Sequence, residues 1–380
     1  MTTKKKILIV NASTSYGGVT ALLYNYYTYM DKSKLSFDFL SPRKSSFEIK
    51  KDEIISNGDM LYGLNIKKRG PFFYISLYKK MKRFLKVNKY DIIHINSGII
   101  LYNAIVSYVA KKYSNSKVIV HAHSAYRMSG IKKIICLFLK EMIRKNADYY
   151  FSCSTEAAVG MFPKRIVNQK LYKIINNGID PNKYLYNKKI RNSIRKSLGI
   201  NNECIVLGNV ARLTQVKNQK FLIELMQILK NSEKNFKLLI VGEGTLRNRL
   251  EKLVSEKKLN DSVIFTGLKE NVADYYSAMD VFLLPSFSEG FGLTALEAQV
   301  NGLFCIVSDG VPNSIKVTPL AFRERLDLNT WKERIISFND AIGHSRTEFV
   351  NLIMESQYNI LNESKKLEEI YLNARNTEGV

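Results

Sequence analysis

The sequence predicts an α/β protein with two doubly wound, Rossmann-like domains that face each other across a cleft. Short runs rich in Ile, Val, Leu and Phe alternate with longer helical patterns along most of the 380 residues. Such alternation is typical of parallel strands joined by helices that cover both faces of a sheet. The pattern restarts after a polar, charged stretch at 182–202, where we place the junction between the domains.

The predicted elements follow that alternation from the start of the chain. The first series opens with a strand at Lys6–Val10 and a helix at Val19–Met30. Its later strands are predicted at Phe37–Leu40, Ile92–Ile95, Val118–His121 and Tyr149–Cys153. The second series has strands at Cys204–Asn209, Lys237–Val241, Val263–Thr266, Val281–Leu284 and Phe304–Val307, and a last helix is predicted at Glu348–Ala374. We therefore predict an N-terminal domain of residues 1–187, completed by a helix at about 356–380, and a C-terminal domain of residues 188–355.

Charge is spread unevenly over the two halves. Residues 1–180 hold 31 basic and 11 acidic residues, a net charge of +20, whereas residues 181–380 hold 27 and 23, a net charge of +4. A cationic half attracts nucleic acid, anionic lipid or phosphorylated substrates. The four scattered cysteines argue against a disulfide scaffold or a structural zinc site.

Two segments of the sequence are relevant to membrane association. The stretches 67–86 and 127–145 place basic residues among large apolar ones and predict amphipathic helices with cationic flanks. Such helices either lie on anionic membranes or pack an apolar face on the sheet. The apolar run 7–10 is too short for a signal peptide, and polar residues interrupt 92–110. We expect a cytoplasmic protein, peripheral at the inner face of the membrane.

Two glycine-bearing loops follow predicted strands. Gly17 and Gly18 come after the first strand, where they let the backbone approach a phosphate or sugar, or simply form a turn. Gly242 and Gly244 follow a strand of the second half, but Arg247 stands where a dinucleotide fingerprint has its third glycine. We expect no nicotinamide or flavin cofactor.

Charged residues in two further loops suggest an anion site. Arg212 and Lys217 follow the strand 204–209 and could clamp a diphosphate, although solvated surface charges give the same spacing. Glu289 and Glu297 flank a predicted helix start near 292. Free backbone N–H groups of 291–294 would point at an anion there, and each carboxylate would accept hydrogen bonds from ligand hydroxyls. The alternative is a helix with an ordinary first-turn glutamate.

Three of the four histidines lie at or just after strand ends. These are His94, His121 and His123. A His-x-His pair on a strand could bind a metal, but no carboxylate or cysteine lies nearby in sequence to complete the site, so we expect none.

The combined pattern resembles the retaining glycosyltransferases of family 4, which have a GT-B fold, and in particular bacterial capsular and exopolysaccharide enzymes. The matching features span residues 6–310 in family order and are Gly17-Gly18, 91–94, 121–124, 147–154, 177–180, Val210-Ala-Arg212 with Lys217-Asn218, 239–244 and the E-x7-E pair Glu289/Glu297. The segment 310–318 departs from the family, which weakens any inference about donor contacts there.

The resemblance implies roles for individual residues. Arg212 and Lys217 would hold the donor diphosphate, Glu297 the ribose, and Glu289 the donor sugar, with His123 rather than His121 as the active-site histidine. The residues expected to border the donor are Gly17, Gly18, Gly242, Gly290, Phe291, Gly292, Leu293, Thr294 and Glu297.

The implied reaction moves a hexosyl or N-acetylhexosaminyl group, with retention, from a nucleotide-sugar, by family habit a UDP-sugar, to a lipid-linked or growing glycan. The expected partners are that donor, a polyprenyl-diphosphate-linked or other glycan acceptor and an anionic membrane surface, with no metal, cofactor or nucleic acid. The alternatives left open are a sugar-nucleotide epimerase or phosphorylase of the same fold and a non-catalytic subunit of a glycosyltransferase pair. A nucleic-acid binder is disfavoured because no recognition motif accompanies the charge.

Overall fold

The computed structural model describes residues 4–12, 18–45, 47–123, 131–230, 232–338 and 345–374. The chain divides into two compact units. Unit 1 comprises Met1–Gly178 with Ile360–Val380, and unit 2 comprises Ile179–Asn359. Each unit has its own sheet and its own apolar core.

Unit 1 contains a seven-stranded sheet in the order β3-β2-β1-β4-β5-β6-β7, with all neighbouring strands parallel. The strands are β1 (Lys5–Asn11), β2 (Leu35–Ser41), β3 (Met60–Gly63), β4 (Ile92–Asn96), β5 (Lys117–Ala122), β6 (Tyr149–Ser152) and β7 (Tyr172–Ile174). Their helices are α1 (Gly18–Tyr29), α2 (Lys51–Ser56), α3 (Pro71–Val87), α4 (Ile100–Tyr113), α5 (Ile131–Asn146), α6 (Thr155–Met161) and α7 (Lys164–Asn168). Every residue of β4 is buried, as expected for a central parallel strand covered on both faces.

Unit 2 contains a six-stranded parallel sheet in the order β10-β9-β8-β11-β12-β13. The strands are β8 (Ile205–Val210), β9 (Phe236–Val241), β10 (Val263–Gly267), β11 (Val281–Leu284), β12 (Phe304–Ser308) and β13 (Ala321–Glu324). The helices are α8 (Lys188–Ser197), α9 (Gln219–Leu229), α10 (Arg247–Glu256), α11 (Val272–Ala278), α12 (Leu293–Val300), α13 (Leu328–Ser337) and α14 (Val350–Met354). The predicted pair of doubly wound parallel sheets is confirmed.

The last helix, α15 (Ile360–Asn373), returns to unit 1. Lys5 Nζ donates to the carbonyl oxygens of Tyr371, Leu372 and Ala374 at 3.0, 2.9 and 2.6 Å. A cation at this place satisfies the free carbonyls and the negative end of the helix. The Glu363 carboxylate accepts a hydrogen bond of 2.9 Å from the backbone N–H of Asn176, so α15 is fastened at both ends.

The predicted single helix at 348–374 is wrong in one respect, because it is two helices, α14 and α15. Polar side chains end α14. Ser356 accepts from the backbone N–H of Tyr358 at 3.1 Å, and the Asn359 amide donates to the Met354 carbonyl at 2.8 Å. These side chains compete with backbone helix bonds and turn the chain between the units.

Two further observations concern membrane-spanning helices and the cysteines. Within the described ranges, no helix is long and apolar enough to cross a membrane. The four cysteines are buried and free. Burial raises the pKa of the Cys153 thiol to about 12, so this residue behaves as a small apolar side chain.

Candidate functional site

In unit 2, loops after neighbouring strands are joined by hydrogen bonds at the carboxyl edge of the sheet. The Phe287 N–H, after β11, donates to the Val216 carbonyl, after β8, at 2.8 Å. The Glu289 N–H donates to the Gly310 carbonyl, after β12, at 3.0 Å. Ligands of open α/β sheets bind beyond this edge, so the loops form a candidate site whose backbone is already tied together.

The centre of this candidate site is an ion pair. Lys217 Nζ lies 2.5 Å from Oε1 of Glu289, and the Ser286 hydroxyl donates to the same oxygen at 2.6 Å. The Lys217 side chain is 27% exposed and that of Glu289 11%. Such a pair is strong because water screens it little, yet the lysine can still reach a ligand.

Arg212 is placed differently from Lys217. Its backbone carbonyl accepts a hydrogen bond of 3.1 Å from the Gln219 amide, which fixes the loop, while its side chain is exposed. Across the described part of the chain its guanidinium makes no ion pair or hydrogen bond. The structure thus brings Lys217 and Glu289 together and leaves the Arg212 side chain in solvent.

Helix α12 begins directly after these loops. Its N-cap, Gly292, has a φ of 98°, and an added Cβ would lie 3.3 Å from a methyl carbon of Val311. The Gly292 carbonyl accepts from the N–H groups of Ala295 and Leu296. Within the ranges described, the N–H groups of Leu293 and Thr294 have no acceptor, and no side chain caps the helix. These donors and the helix dipole favour an anion.

The neighbouring Phe291 side chain is buried in the core and packs against Tyr358, with ring centroids 4.7 Å apart. Phe291 can therefore offer a ligand its backbone but not its ring.

Glu297, one turn into α12, is held by two tyrosines. Its Oε2 accepts from the Tyr276 hydroxyl at 2.6 Å and its Oε1 from the Tyr184 hydroxyl at 3.2 Å. Burial raises the pKa of Glu297 to about 7, while the two tyrosine hydrogen bonds act in the opposite direction. Near neutral pH this carboxyl is divided between its neutral and ionised forms.

The glycines Gly242 and Gly244 make room for the loop that carries Arg212. A Cβ on Gly242 would lie 2.1 Å from the Ala211 carbonyl oxygen, and one on Gly244 would lie 2.3 Å from that of Leu213. The N–H of Leu213 donates to the Glu243 carbonyl at 3.0 Å. The glycine pair therefore has a structural explanation in loop packing; a donor contact by Gly242 stays a prediction.

In unit 1, the three predicted histidines form one buried stack. The rings of His94 and His121 are 5.3 Å apart and nearly parallel, at 9°, and His123 lies 4.0 Å from His121. Nδ1 of His94 is 2.6 Å from the Tyr371 hydroxyl oxygen. Burial lowers the pKa of His94 and His123 to about 3 and lowers that of His121 well below its ordinary value. All three rings are neutral at pH 7.

His123 has a defined hydrogen-bonding role. The Asn96 amide nitrogen donates to the His94 carbonyl at 3.1 Å, which turns its oxygen toward His123, 2.9 Å from Nε2. Nε2 therefore carries the ring proton, and Nδ1 of the neutral ring is an acceptor. Both nitrogens of His121 are buried without a partner among the described residues.

The first glycine loop lies partly outside the described residues. Gly17 is in that segment, whereas Gly18 opens α1. No described heavy atom lies within 4 Å of a Cβ added to Gly18. The described part of unit 1 therefore does not require glycine at this position.

Sequence inspection missed several residues that shape these sites. They are Asn96, Tyr184, Tyr276 and Ser286. Ser286 lies within the quoted motif, and Asn96 follows the 91–94 element, so both could have been found. The tyrosines stand 113 and 21 residues from Glu297 and have no local signal. Within the described ranges, no group of three or more His, Cys, Asp or Glu side chains could hold a metal ion.

Comparison with known proteins matches both units. The family model "Glycosyltransferase Family 4" matches residues 16–183, and "Glycosyl transferases group 1" matches residues 190–318. The putative glycosyltransferase EpsF of Bacillus subtilis is 26% identical over 356 residues, 91% of each chain. The O-antigen biosynthesis glycosyltransferase WclY of Escherichia coli is 30% identical over 270 residues, 67% of this chain and 69% of its own.

Two further proteins carry more specific names. The E. coli UDP-Gal:alpha-D-GlcNAc-diphosphoundecaprenol alpha-1,3-galactosyltransferase is 26% identical over 319 residues, 78% of this chain and 81% of its own. The crystal structure of Anabaena HepE in complex with UDP covers 96% of this chain and 99% of its own, with a TM-score of 0.77 at 15% identity, a likeness of fold. The chain therefore belongs to glycosyltransferase family 4 and is a glycosyltransferase of the GT-B fold, related to a bacterial enzyme of O-antigen biosynthesis.

Proposed function

We propose that this glycosyltransferase moves a hexosyl or N-acetylhexosaminyl group from a UDP-sugar to a lipid-linked or growing glycan with retention of configuration. The observation that carries the proposal is the Lys217–Glu289 pair beside the open N-terminus of α12. A cation, free backbone donors and a carboxylate in one place suit a sugar diphosphate, which has anionic and hydroxyl-bearing parts.

Donor binding would rearrange the ion pair. The diphosphate replaces Glu289 as the ion-pair partner of Lys217. It also binds Arg212 and accepts hydrogen bonds from the N–H groups of Leu293 and Thr294. Glu289, released by the lysine but still held by Ser286, accepts hydrogen bonds from sugar hydroxyls. Glu297 accepts the ribose hydroxyls in its ionised form. The backbone of 290–292 and Gly242 would border the same donor.

For unit 1 the proposal keeps His123 as the active-site histidine and Gly17 and Gly18 as residues that border a ligand. Nδ1 of His123 would accept a hydrogen bond from a ligand hydroxyl, while Asn96 holds the ring in place. Gly17 and Gly18 would let the backbone approach a ligand. A neutral ring suits this position because an imidazolium would repel an oxocarbenium-like sugar.

The proposed reaction needs no dedicated protein base. As the C1–O bond to UDP breaks, negative charge grows on the β-phosphate, where fixed cations and backbone donors stabilise it. The acceptor hydroxyl attacks from the face that UDP leaves, and its proton passes to the departing phosphate oxygen. The new bond therefore keeps the anomeric configuration.

The proposed acceptor follows from charge and from relatives. Residues 1–180 carry a net charge of +20, which suits a diphosphate-linked lipid at an anionic membrane. One E. coli relative is named for a UDP-sugar donor and a diphosphoundecaprenol-linked acceptor. Activity at the cytoplasmic membrane surface is part of the proposal.

The test is donor turnover. Purified protein is incubated with a panel of UDP-, GDP- and ADP-sugars, and released nucleoside diphosphate is measured, with retention assigned from the anomeric proton signals of the product once an acceptor is found. We expect release from one UDP-sugar, abolished by Glu289→Ala and by Arg212→Ala. Glu224→Ala is the matched control, because Glu224 also pairs with a lysine, Lys220, but on the surface of α9.

The other outcomes separate the alternatives. Release of UDP with an epimerised free sugar and no acceptor identifies an epimerase, and turnover that requires inorganic phosphate identifies a phosphorylase. No release, and no thermal stabilisation by any nucleotide, contradicts a working donor site and favours a non-catalytic subunit.

A further inference from the structure

Helices α3, α4 and α5 cover one face of the unit 1 sheet side by side. Each connects parallel strands, so each begins at the carboxyl edge of the sheet and ends at the opposite edge. The first turns of these helices therefore lie at the same edge as His123. Their exposed side chains therefore lie on the same face of the sheet and at the same edge.

Large apolar side chains are exposed at the starts of α3 and α5. We call these residues the apolar rim: Phe72, Ile75, Ile134, Ile135, Leu137 and Phe138, which expose 50% to 70% of their surfaces. Each helix also buries its own apolar stripe, Leu77, Met81 and Leu85 in α3 and Cys136, Leu139 and Ile143 in α5. The rim is thus additional to the residues that hold the helices on the sheet. Exposed patches of this kind mark interaction sites.

The segment of the chain that carries the rim is strongly basic. Residues 60–140 contain 16 basic residues and a single acidic one, Asp91, whose carboxylate accepts from the Lys6 N–H beside the amino end of β1. Exposed Lys67, Lys68 and Arg69 directly precede α3, and exposed Lys133 lies in the first turn of α5. A second copy of this chain would bring like charges together at such a surface, whereas anionic lipid complements it.

We propose that the apolar rim is the surface by which unit 1 docks on a bilayer containing anionic lipid, which deepens the function proposed above and rests on it for its purpose. The rim side chains enter the boundary between head groups and acyl chains, and the flanking cations bind lipid phosphates. The same contact places the carboxyl edge of unit 1, with His123, toward the membrane, where a lipid-linked acceptor is held.

The test is co-sedimentation of the full chain with vesicles, without nucleotide. One set is phosphatidylcholine and the other contains about one third phosphatidylglycerol. We expect binding to the anionic set only, weakened when salt rises from about 0.1 M to about 0.5 M. The triple variant Phe72→Ser/Ile134→Ser/Phe138→Ser is expected to lower the partition coefficient at least about tenfold.

The matched control is Val87→Ser. Val87 is 80% exposed and ends α3, about 22 Å from Phe72 along the helix, at the opposite edge. Its binding is expected to stay within about twofold of the parent chain. Because every substituted residue is exposed, thermal unfolding should be the same in all three proteins, and release of UDP without vesicles should persist in both variants.

Several results would overturn the proposal. They are unchanged binding of the triple variant, an equal loss in Val87→Ser, equal binding of the parent chain to neutral vesicles, or a dimer in sedimentation analysis that the triple variant dissociates. A failure of donor turnover in the parent chain with rim-dependent vesicle binding intact would count against the proposed function alone.

Discussion

The carboxyl edges of the two sheets use opposite kinds of chemistry. Unit 1 presents neutral imidazoles, packed on one another and kept uncharged by burial. Unit 2 presents an ion pair and a carboxyl whose pKa is raised to about 7. The same fold therefore supplies neutral buried side chains in one unit and a charged, ligand-accessible pair in the other.

The difference has a structural cause. His94 and His121 belong to β4 and β5, so the sheet itself shields them from water. Lys217 and Glu289 stand on loops, where part of each side chain remains accessible. A side chain that must stay neutral and fixed is best held on a buried strand. A side chain that must exchange one binding partner for another is best held on a loop.

Among the comparisons that follow, the largest effect is expected from removing the lysine of the unit 2 ion pair. Lys217→Ala should lower UDP-sugar turnover about 100-fold, because the β-phosphate charge loses a preorganised partner in the transition state. Lys220→Ala, which removes an exposed lysine of α9, should leave turnover unchanged. Steady-state UDP release measures both. Equal activity of the two variants would show that Lys217 is only a structural partner of Glu289.

Low pH should destabilise unit 1 because of its buried histidines. Their pKa values are lowered in the fold, so the unfolded chain takes up protons first, and the free energy of unfolding falls as pH drops from about 6.5 toward 3. Between pH 6.5 and 5, the free energy of unfolding of the His121→Leu variant should fall by about 2 kcal/mol less than that of the parent chain. Urea unfolding at several pH values tests this. An identical pH slope in the variant would contradict the assignment.

Glu297 should respond to acid in the opposite direction. Its pKa is raised to about 7, so its contribution to the stability of unliganded unit 2 is present below about pH 4.5 and is lost as pH rises through 7. Because ribose hydroxyls need the ionised form, the affinity for the UDP-sugar that the protein turns over should rise about tenfold from pH 6 to 8. Calorimetry at both pH values measures it. Glu297→Gln is expected to abolish the rise, and persistence of the rise would assign it to another group.

The smallest effects are expected from substituting two glycines, Gly292 and Gly18. Gly292→Ala forces a side chain into a φ of 98° and should cost about 1–2 kcal/mol of stability. Gly18→Ala meets open space and should leave stability unchanged while lowering turnover severalfold, because the Cβ obstructs a ligand. Thermal unfolding and UDP release separate the two effects. A stability loss in Gly18→Ala, or full activity, would remove the basis for a ligand at that loop.

The fold class and the family were predictable because they depend on patterns along the chain. Buried parallel strands are continuous apolar runs, and family motifs follow them in order. Three strands escaped prediction, β3, β7 and β13, and all are sheet edges of three or four residues with mixed polarity. Edge strands lack the two-sided burial that produces an apolar run.

The candidate sites were predictable only as far as their parts are local. The E-x7-E motif predicted the two glutamates, but not that Lys217 would pair with the first or that two distant tyrosines would hold the second. The histidine stack likewise depends on strand register, since Asn96 pairs with His121 across β4 and β5. Such contacts arise from tertiary packing and have no signature at fixed spacing.

The central claim is that the donor diphosphate replaces Glu289 as the partner of Lys217. A crystal structure of the chain with UDP tests it most directly. We expect a β-phosphate oxygen within hydrogen-bonding distance of Lys217 Nζ and of the N–H groups of Leu293 and Thr294, with the ribose on Glu297. UDP bound elsewhere, or bound with the 2.5 Å Lys217–Glu289 contact intact and the phosphates out of reach, would contradict the account.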